Sequence, residues 1–401
     1  KKNHLKIMDI QEYINQKKEL YESIMRYLPN DVEESDEEIH LFQFLLKHQN
    51  NLQKDELRCS LMIISKISEN YHRTANFFSK IEKILLHYFP QITQTFTNTE
   101  IFKIFENSKR ILLFLFEQKI INPDESIIKL IREIDDIYEY QYNEEIGDYQ
   151  YVKIGSKNYD SYLYPEIKDY LNEEEIQLIE QQIKDYSKSE FESLRKSGEN
   201  DHYICHLIRQ DSIEEFIVYV NQNNITKSTK IAPSIFETNS FLIPKNPTII
   251  EYAAFFGSIR ILQYYRNDLD QLLDSLLLYG IHSNNPEIIY FFIENEVSPM
   301  NNMYEQCLEE SIKCHHNDIA SYILDNLISE EDKQKQILTS FDKNYISYCF
   351  RNYNFHFLDE ILKSKYALVY FCELNDYKLV KFYLEQNDQV ELNNVMTSET
   401  S

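Results

Sequence analysis

The densest grouping of reactive side chains runs from Cys307 to His316. Cys307 and Cys314 stand seven residues apart, and His315 and His316 follow at once. Thiolates and imidazoles are zinc ligands, and positions i and i+7 share a helix face. Zinc sites, however, commonly pair ligands two to five residues apart, and neighbouring residues on a helix point in different directions. His315 falls in an interhelical turn, where an exposed histidine is ordinary, and Cys205-His206 is a similar juxtaposition. No metal ligand is assigned. The sequence holds no G-x-S-x-G elbow and no cysteine in a protease signature with a matching histidine. It also lacks a Walker lysine loop and a G-x-G-x-x-G turn. With 66 acidic residues, close carboxylate pairs arise by chance and belong to solvated faces. The expectation is no catalytic residue, no cofactor and no enzyme; the alternative is an enzyme without a recognisable sequence signature.

The element that must position any binding surface is Pro247 to Tyr265, PTIIEYAAFFGSIRILQYY. Ile249, Ile250, Ala253 and Ala254 make one apolar helical face; Gly257 breaks it, and Ile261, Leu262 and Tyr265 resume it on a second helix. Alanines let helices approach closely, and glycine suits a tight turn because it accepts positive φ. The stretch resembles the ankyrin repeat, T-P-L-H-x-A-A-x-x-G-x-x-x-V-V-x-x-L-L, through Thr248, Ala253, Ala254, Gly257, Ile261 and Leu262. It departs from that pattern at Ile249, where proline is usual, and at Glu251, where histidine is usual.

Degenerate copies follow at Gly280 to Ile289, Ser311 to Ala320, Cys349 to Leu358 and Phe371 to Val380, and Leu207 to Phe216 looks like a half-repeat. With Ala253 as anchor, equivalent positions fall at 280, 311, 349 and 371, in steps of 27, 31, 38 and 22; the ankyrin period is roughly 33. In an ankyrin repeat the residue before the first alanine faces the concave groove. That column reads Tyr252, Tyr279, Glu310, Tyr348 and Tyr370. These tyrosines, with Phe256, form the candidate partner-binding row, because a tyrosine joins a large ring to a hydroxyl. The alternative is that the rings pack on adjacent inner helices and hold the stack together.

Upstream, residues 9–28 have an amphipathic pattern through Ile10, Ile14, Tyr21, Ile24 and Leu28, stopped by Pro29. Ser35 to Glu38 and Thr97 to Glu100 are capping boxes. Helices are expected over 55–69 and over 76–89, the latter ending before Pro90. Asn122-Pro123-Asp124-Glu125 is a helix start with Asn122 as cap. Periodicity fails between Tyr138 and Tyr164, where eight tyrosines sit among acids. This is either a binding or phosphorylation segment or a mobile loop with some tyrosines packed on the helices. Asn172 caps a further helix, and Gly198 marks the boundary to the repeats.

Arg195 to Asp201, Tyr203 to Phe216 and Ser234 to Leu242 lead into the first clear repeat. Together they look like the divergent ankyrin-repeat proteins expanded in some parasitic protists, in which a helical domain of unknown function precedes the repeats. The similarity extends through Ser65 to Phe78 and Ile101 to Ile121. It implies an all-α, partner-binding protein: a helical N-terminal domain, either plain or of cryptic repeats, followed by an irregular ankyrin-type solenoid. The divisions are 1–135, an acidic tyrosine-rich linker plus helix at 136–200, repeats at 201–390 and a disordered tail at 391–401.

The 43% hydrophobic content is enough for a core, and with Gly at 5 and Pro at 9 a turn-rich sandwich or barrel is disfavoured. A net charge of −25 repels phosphate backbones and anionic membranes and is compatible with a basic protein partner. Six scattered cysteines without C-x-x-C point to free thiols in a reducing compartment. The start, Lys1 to Leu5, leads into a charged helix, and the longest strongly apolar run, Ile111 to Phe116, is far too short to span a bilayer. The expectation is a cytoplasmic, non-catalytic scaffold for protein–protein interaction that binds on a concave face.

Overall fold

The computed structural model describes residues 2–30, 32, 35–48, 52–74, 76–143, 148–266, 275–299, 304–328, 341–358, 362, 368, 371–372 and 377–386. These residues are mostly helical, in keeping with the all-α expectation. In chain order the helices are α1 (Lys2–Tyr27), α2 (Asp36–His48), α3 (Lys54–Asn70), α4 (Phe77–Thr95), α5 (Asn98–Phe105), α6 (Lys109–Glu117) and α7 (Glu125–Asp135). An antiparallel hairpin follows, β1 (Asp136–Asn143) and β2 (Asp148–Ser156). Then come α8 (Tyr159–Tyr162), α9 (Tyr164–Ile167), α10 (Glu173–Ile183), α11 (Lys188–Ser197), α12 (Tyr203–Arg209), α13 (Ile213–Gln222), α14 (Leu242–Lys245), α15 (Ile249–Phe256) and α16 (Ile259–Tyr264). The last are α17 (Leu276–His282), α18 (Pro286–Glu294), α19 (Glu305–Lys313), α20 (Asn317–Tyr322), α21 (Phe341–Arg351) and α22 (Tyr377–Gln386).

The described residues of 1–67, 73–80 and 301–401 cluster as one compact unit, and those of 68–72 and 81–300 as another. The divisions drawn at 135/136 and 200/201 both fall inside the second unit, and the tail 391–401 lies outside the described residues.

In the second unit the local rules read from sequence operate at several helix starts. Thr97 with Glu100, Asn172 with Glu175 and Thr248 with Glu251 each form a reciprocal capping box, satisfying two orphan amides at once. Three helix pairs share one turn. Asp211, Gly257 and Asn284 link α12–α13, α15–α16 and α17–α18, each at positive φ (48°, 72° and 51°). Ser212 N donates to Leu207 O at 3.0 Å and Ser258 N to Ala253 O at 2.9 Å, the six-to-one bond of a Schellman cap. Successive pairs stack like on like: α12 packs on α15 and α15 on α17, while α13 packs on α16. Ala253 and Ala254 are 0% exposed where this happens. At Gly280, which takes the place of Ala253, an added Cβ would stand 2.7 Å from the Phe292 ring.

Three expectations for this unit are corrected. The helix start near 122 is capped by Asp124, whose carboxylate accepts from Ile127 N at 2.9 Å, and not by Asn122. Helix α4 does not end before Pro90 but runs through it to Thr95. Ile81, Ile84, Leu85, Tyr88 and Ile92 form one buried stripe across the proline, and burying several such side chains outweighs about 3 kcal/mol of proline penalty. The tyrosine-rich stretch is a hairpin over its first part. Tyr140 pairs with Tyr151 and Tyr142 with Tyr149, with a bulge after Ile137. Asp135 anchors its base, accepting from Tyr159 N at 2.6 Å and from the Ser156 hydroxyl. Tyr159, Tyr162 and Tyr164 do pack back on helices: their hydroxyls donate to Glu106 O, Arg195 O and Glu180 Oε1 at 2.5, 2.6 and 2.7 Å.

The first unit is made from the two ends of the chain. Helix α1 buries Ile14, Tyr21, Ile24 and Leu28 and packs against α22 and the short turn Phe355–Phe357. Ser35 caps α2 by accepting from Glu38 N at 3.2 Å. The buried Lys80 ammonium donates to Leu28 O at 2.8 Å and to Asn30 O, neutralising the carbonyl end of α1. The turns α19–α20 and α21 to Phe355–Phe357 carry His315 and Tyr353 at φ of 58° and 51°. Of the Phe371–Val380 copy, residues 373–376 lie outside the described residues.

Candidate partner-binding site

Tyr252 and Phe256 lie one turn apart on α15, with ring centroids 4.7 Å apart. The Tyr252 ring is 1% exposed. Its phenol oxygen accepts from Arg209 Nη1 at 2.8 Å, and the same guanidinium lies 5.9 Å from the Phe256 ring and 3.9 Å from Glu199. Burial, helped by the negative charge of Glu237, pushes the Tyr252 phenol well above its usual range, so it stays a neutral hydroxyl. Tyr279 is likewise buried; its ring meets Phe241 edge-on at 5.0 Å, and Phe241 and Phe255 enclose His282. The two tyrosines best placed in the expected row thus lie between elements rather than on an open face. The reason is the small residue beside each, Ala253 and Gly280, which draws the next helix over the ring.

Phe256 is half-buried. Tyr348, in the other unit, is half-buried too, and burial with Glu309 nearby raises its phenol to about 12. Glu310 in the same column pairs with Lys313 at 3.0 Å. Tyr370 lies outside the described residues.

The chain around Gly198–Asp201 and that around Ala232–Leu242 interlock beside Tyr252. Asn200 donates to Ala232 O at 2.9 Å, the Ser234 hydroxyl to Asp201 at 2.7 Å, and the Thr238 hydroxyl to Gly198 O at 2.8 Å. Asn239 accepts from Phe241 N at 2.9 Å and Leu242 N at 3.2 Å, opening α14. A cleft of about 590 Å³ forms where they meet, walled by Ile137, Ile231, Pro233 and Pro247, with Asn200, Glu237 and Tyr252 in its lining. Arg209 and Glu199 carry no motif that marks them in sequence; only the opposite charges flanking α12 point to them.

The cysteine–histidine groupings do not behave as exposed reactive sites. Cys205 is buried and its thiol is pushed up to about 12 by burial, while His206 is exposed, so the two do not converge. Cys307, Cys314, His315 and His316 are all buried, which corrects the expectation of an exposed His315. Its imidazole packs on Tyr21 with Nδ1 3.2 Å from the phenol oxygen, and burial, with Lys66 adding to it, lowers its pKa to about 3. Thiols raised in this way are poor nucleophiles.

No family model, curated protein or solved structure matches the chain.

Proposed function

We propose that this chain is a non-catalytic scaffold for protein–protein interaction, built on divergent ankyrin-type helix pairs in a reducing, cytoplasmic setting. One observation carries it. Gly257, Asn284, His315 and Tyr353 are left-handed turn residues four positions after the sequence anchors 253, 280, 311 and 349, and Asp211 stands likewise four after Leu207 of the half-repeat; position 375, four after the anchor 371, lies outside the described residues. This register in a chain with unequal loops supports reading it as a repeat array, and repeat arrays present extended surfaces to partners. The like-on-like packing of α12, α15 and α17 supports the same view, as do six free cysteines. Because Tyr252 and Tyr279 are covered, recognition falls to half-buried and exposed groups such as Phe256, Tyr348 and those of the outer helices. No helix among the described residues is long and apolar enough to cross a membrane.

The test is capture of a partner by the intact chain, reconstitution from purified components, and cross-linking. Cross-links concentrated on 203–294 or 305–358 are expected. A stoichiometric partner cross-linked solely to 2–135, or no partner at all beside a turnover activity, would overturn it.

A further inference from the structure

As a refinement that rests on the scaffold function, we propose that the groove between the start of α12 and the outer face of α13 receives one long basic side chain, best an arginine, of a protein partner. The groove measures about 350 Å³ and is lined by Tyr203, Glu214, Glu215, Val218, Tyr219 and Gln222. Two of these are apolar bodies left in water: Tyr203 is 52% and Val218 54% exposed. The Tyr203 and Tyr219 rings meet edge-to-face with centroids 5.2 Å apart. The Tyr203 hydroxyl donates to Glu215 Oε2 at 3.2 Å, which also fixes the carboxylate at the groove.

The two acids differ. Glu214 is paired with Arg260. Glu215 takes its hydrogen bond from a neutral phenol, which leaves its negative charge uncancelled there. The groove therefore offers an apolar floor with an anion and aromatic faces at one end. An acidic side chain would be repelled, and a purely apolar one would strip water from Glu215 with nothing in return. A long basic side chain meets both demands: its stem lies on Val218 and the rings while its head reaches Glu215. Arginine fits better than lysine because a guanidinium stacks on a ring and bonds a carboxylate through two parallel donors. The chain's net charge of −25 draws such partners in and speeds encounter.

The probe is the peptide acetyl-Ala-Ala-Arg-Ala-Ala-amide, followed by NMR of ring-labelled tyrosines in the intact chain. The expected result is a shift of the Tyr203 and Tyr219 resonances, with binding weakened about tenfold by Glu215→Gln, a loss equivalent to roughly one good contact. Replacing the peptide's arginine by citrulline, which keeps the shape and removes the charge, should weaken it at least as much. Tyr203→Ser should do likewise; if that variant fails to fold, the Glu215 and citrulline arms still decide. Glu192→Gln, an exposed acid on α11, should change nothing. Equal loss with Glu192→Gln, equal binding of the citrulline peptide, or indifference to Glu215→Gln would each overturn the slot and assign the attraction to general surface charge. A captured partner whose cross-links avoid α12 and α13 would remove the slot and leave the scaffold; peptide binding at the slot with no protein partner would do the reverse.

Discussion

Ala253, Gly280 and Tyr252 are the single positions on which the second unit's stacking turns. Ala253→Leu would overpack a site with no free surface and should cost about 1–3 kcal/mol in thermal unfolding. Gly280→Ala sets a helix-propensity gain of about 1 kcal/mol against a contact of 2.7 Å to Phe292, itself fully buried. The ring has nowhere to move, so a net loss of about 1–2 kcal/mol is expected. Tyr252→Ala should cost about 3–5 kcal/mol, as removal of a buried aromatic does; an unchanged melting temperature would show that the ring is surface. His315 makes a pH-dependent contribution whose sign is definite. Its folded pKa of about 3 lies below the ordinary value near 6.5, so the unfolded chain binds the proton first. Stability is unaffected above about pH 6.5 and falls as pH drops toward 3, at up to about 1.4 kcal/mol per pH unit. Acid titration of melting should be shallower in His315→Asn, since asparagine tolerates the same left-handed backbone. The small residues and the turn at Gly257 were legible in sequence because spacing alone identifies them. The burial of the tyrosine rings and of His315 was not, because a column of like residues says nothing of whether the neighbouring helix covers it.

Among the elements, α15 shows how a departure from a motif can be compensated. Glu251, standing where histidine is usual, closes the capping box: its carboxylate accepts from Thr248 N at 2.8 Å and Thr248 Oγ1 at 2.9 Å, and from the Ser275 hydroxyl at 2.6 Å. The box thus also ties α15 to the start of α17. Thr248→Ala should cost about 1 kcal/mol; Glu251→Leu should cost more, since it strands Thr248 and Ser275 together. Denaturant titration of the two variants checks the order. Helix starts were legible at Ser35, Thr97 and Asn172, where the capping residue was read correctly, but not at Asp124 or Ser187, whose partners also lie three residues on. The hairpin was not, although tyrosine at 138, 140 and 142 has the two-residue period of a strand. That alternation was obscured because the intervening residues are polar and Tyr138 and Tyr151 face water, so no apolar face marked it. Proline at 90 misled for the opposite reason: a strong local signal was overruled by the stripe buried on either side of it.

At the scale of the molecule, the first unit is assembled across the full chain. The Tyr21 phenol meets His315 Nδ1 at 3.2 Å and accepts from Asn317 at 3.0 Å, and Asn354 donates to Asn317 at 2.8 Å. Tyr21→Phe leaves buried polar groups without a partner and should cost about 1–3 kcal/mol. Hydrogen exchange should place the loss of protection in Glu305–Lys313 and Phe341–Arg351, with α12 to α16 unchanged; protection lost evenly across both units would refute this. None of that pairing was legible, since helical periodicity reports which face is apolar and not which distant face it meets. The closure has a consequence during synthesis. Tyr21 leaves the ribosome 296 residues before Asn317, and at about 5–20 residues per second that is a wait of about 15–60 s. During it α1 can already pack on α2 and Lys17 bond Ser60, but Tyr21 has yet to meet Asn317, and α1 has yet to meet Phe355–Phe357 and α22, while residues 81–300 can already fold. The first unit therefore closes last, with α1 only partly covered meanwhile, and yield in a cell-free system is expected to rise more with added holdase than with slower translation.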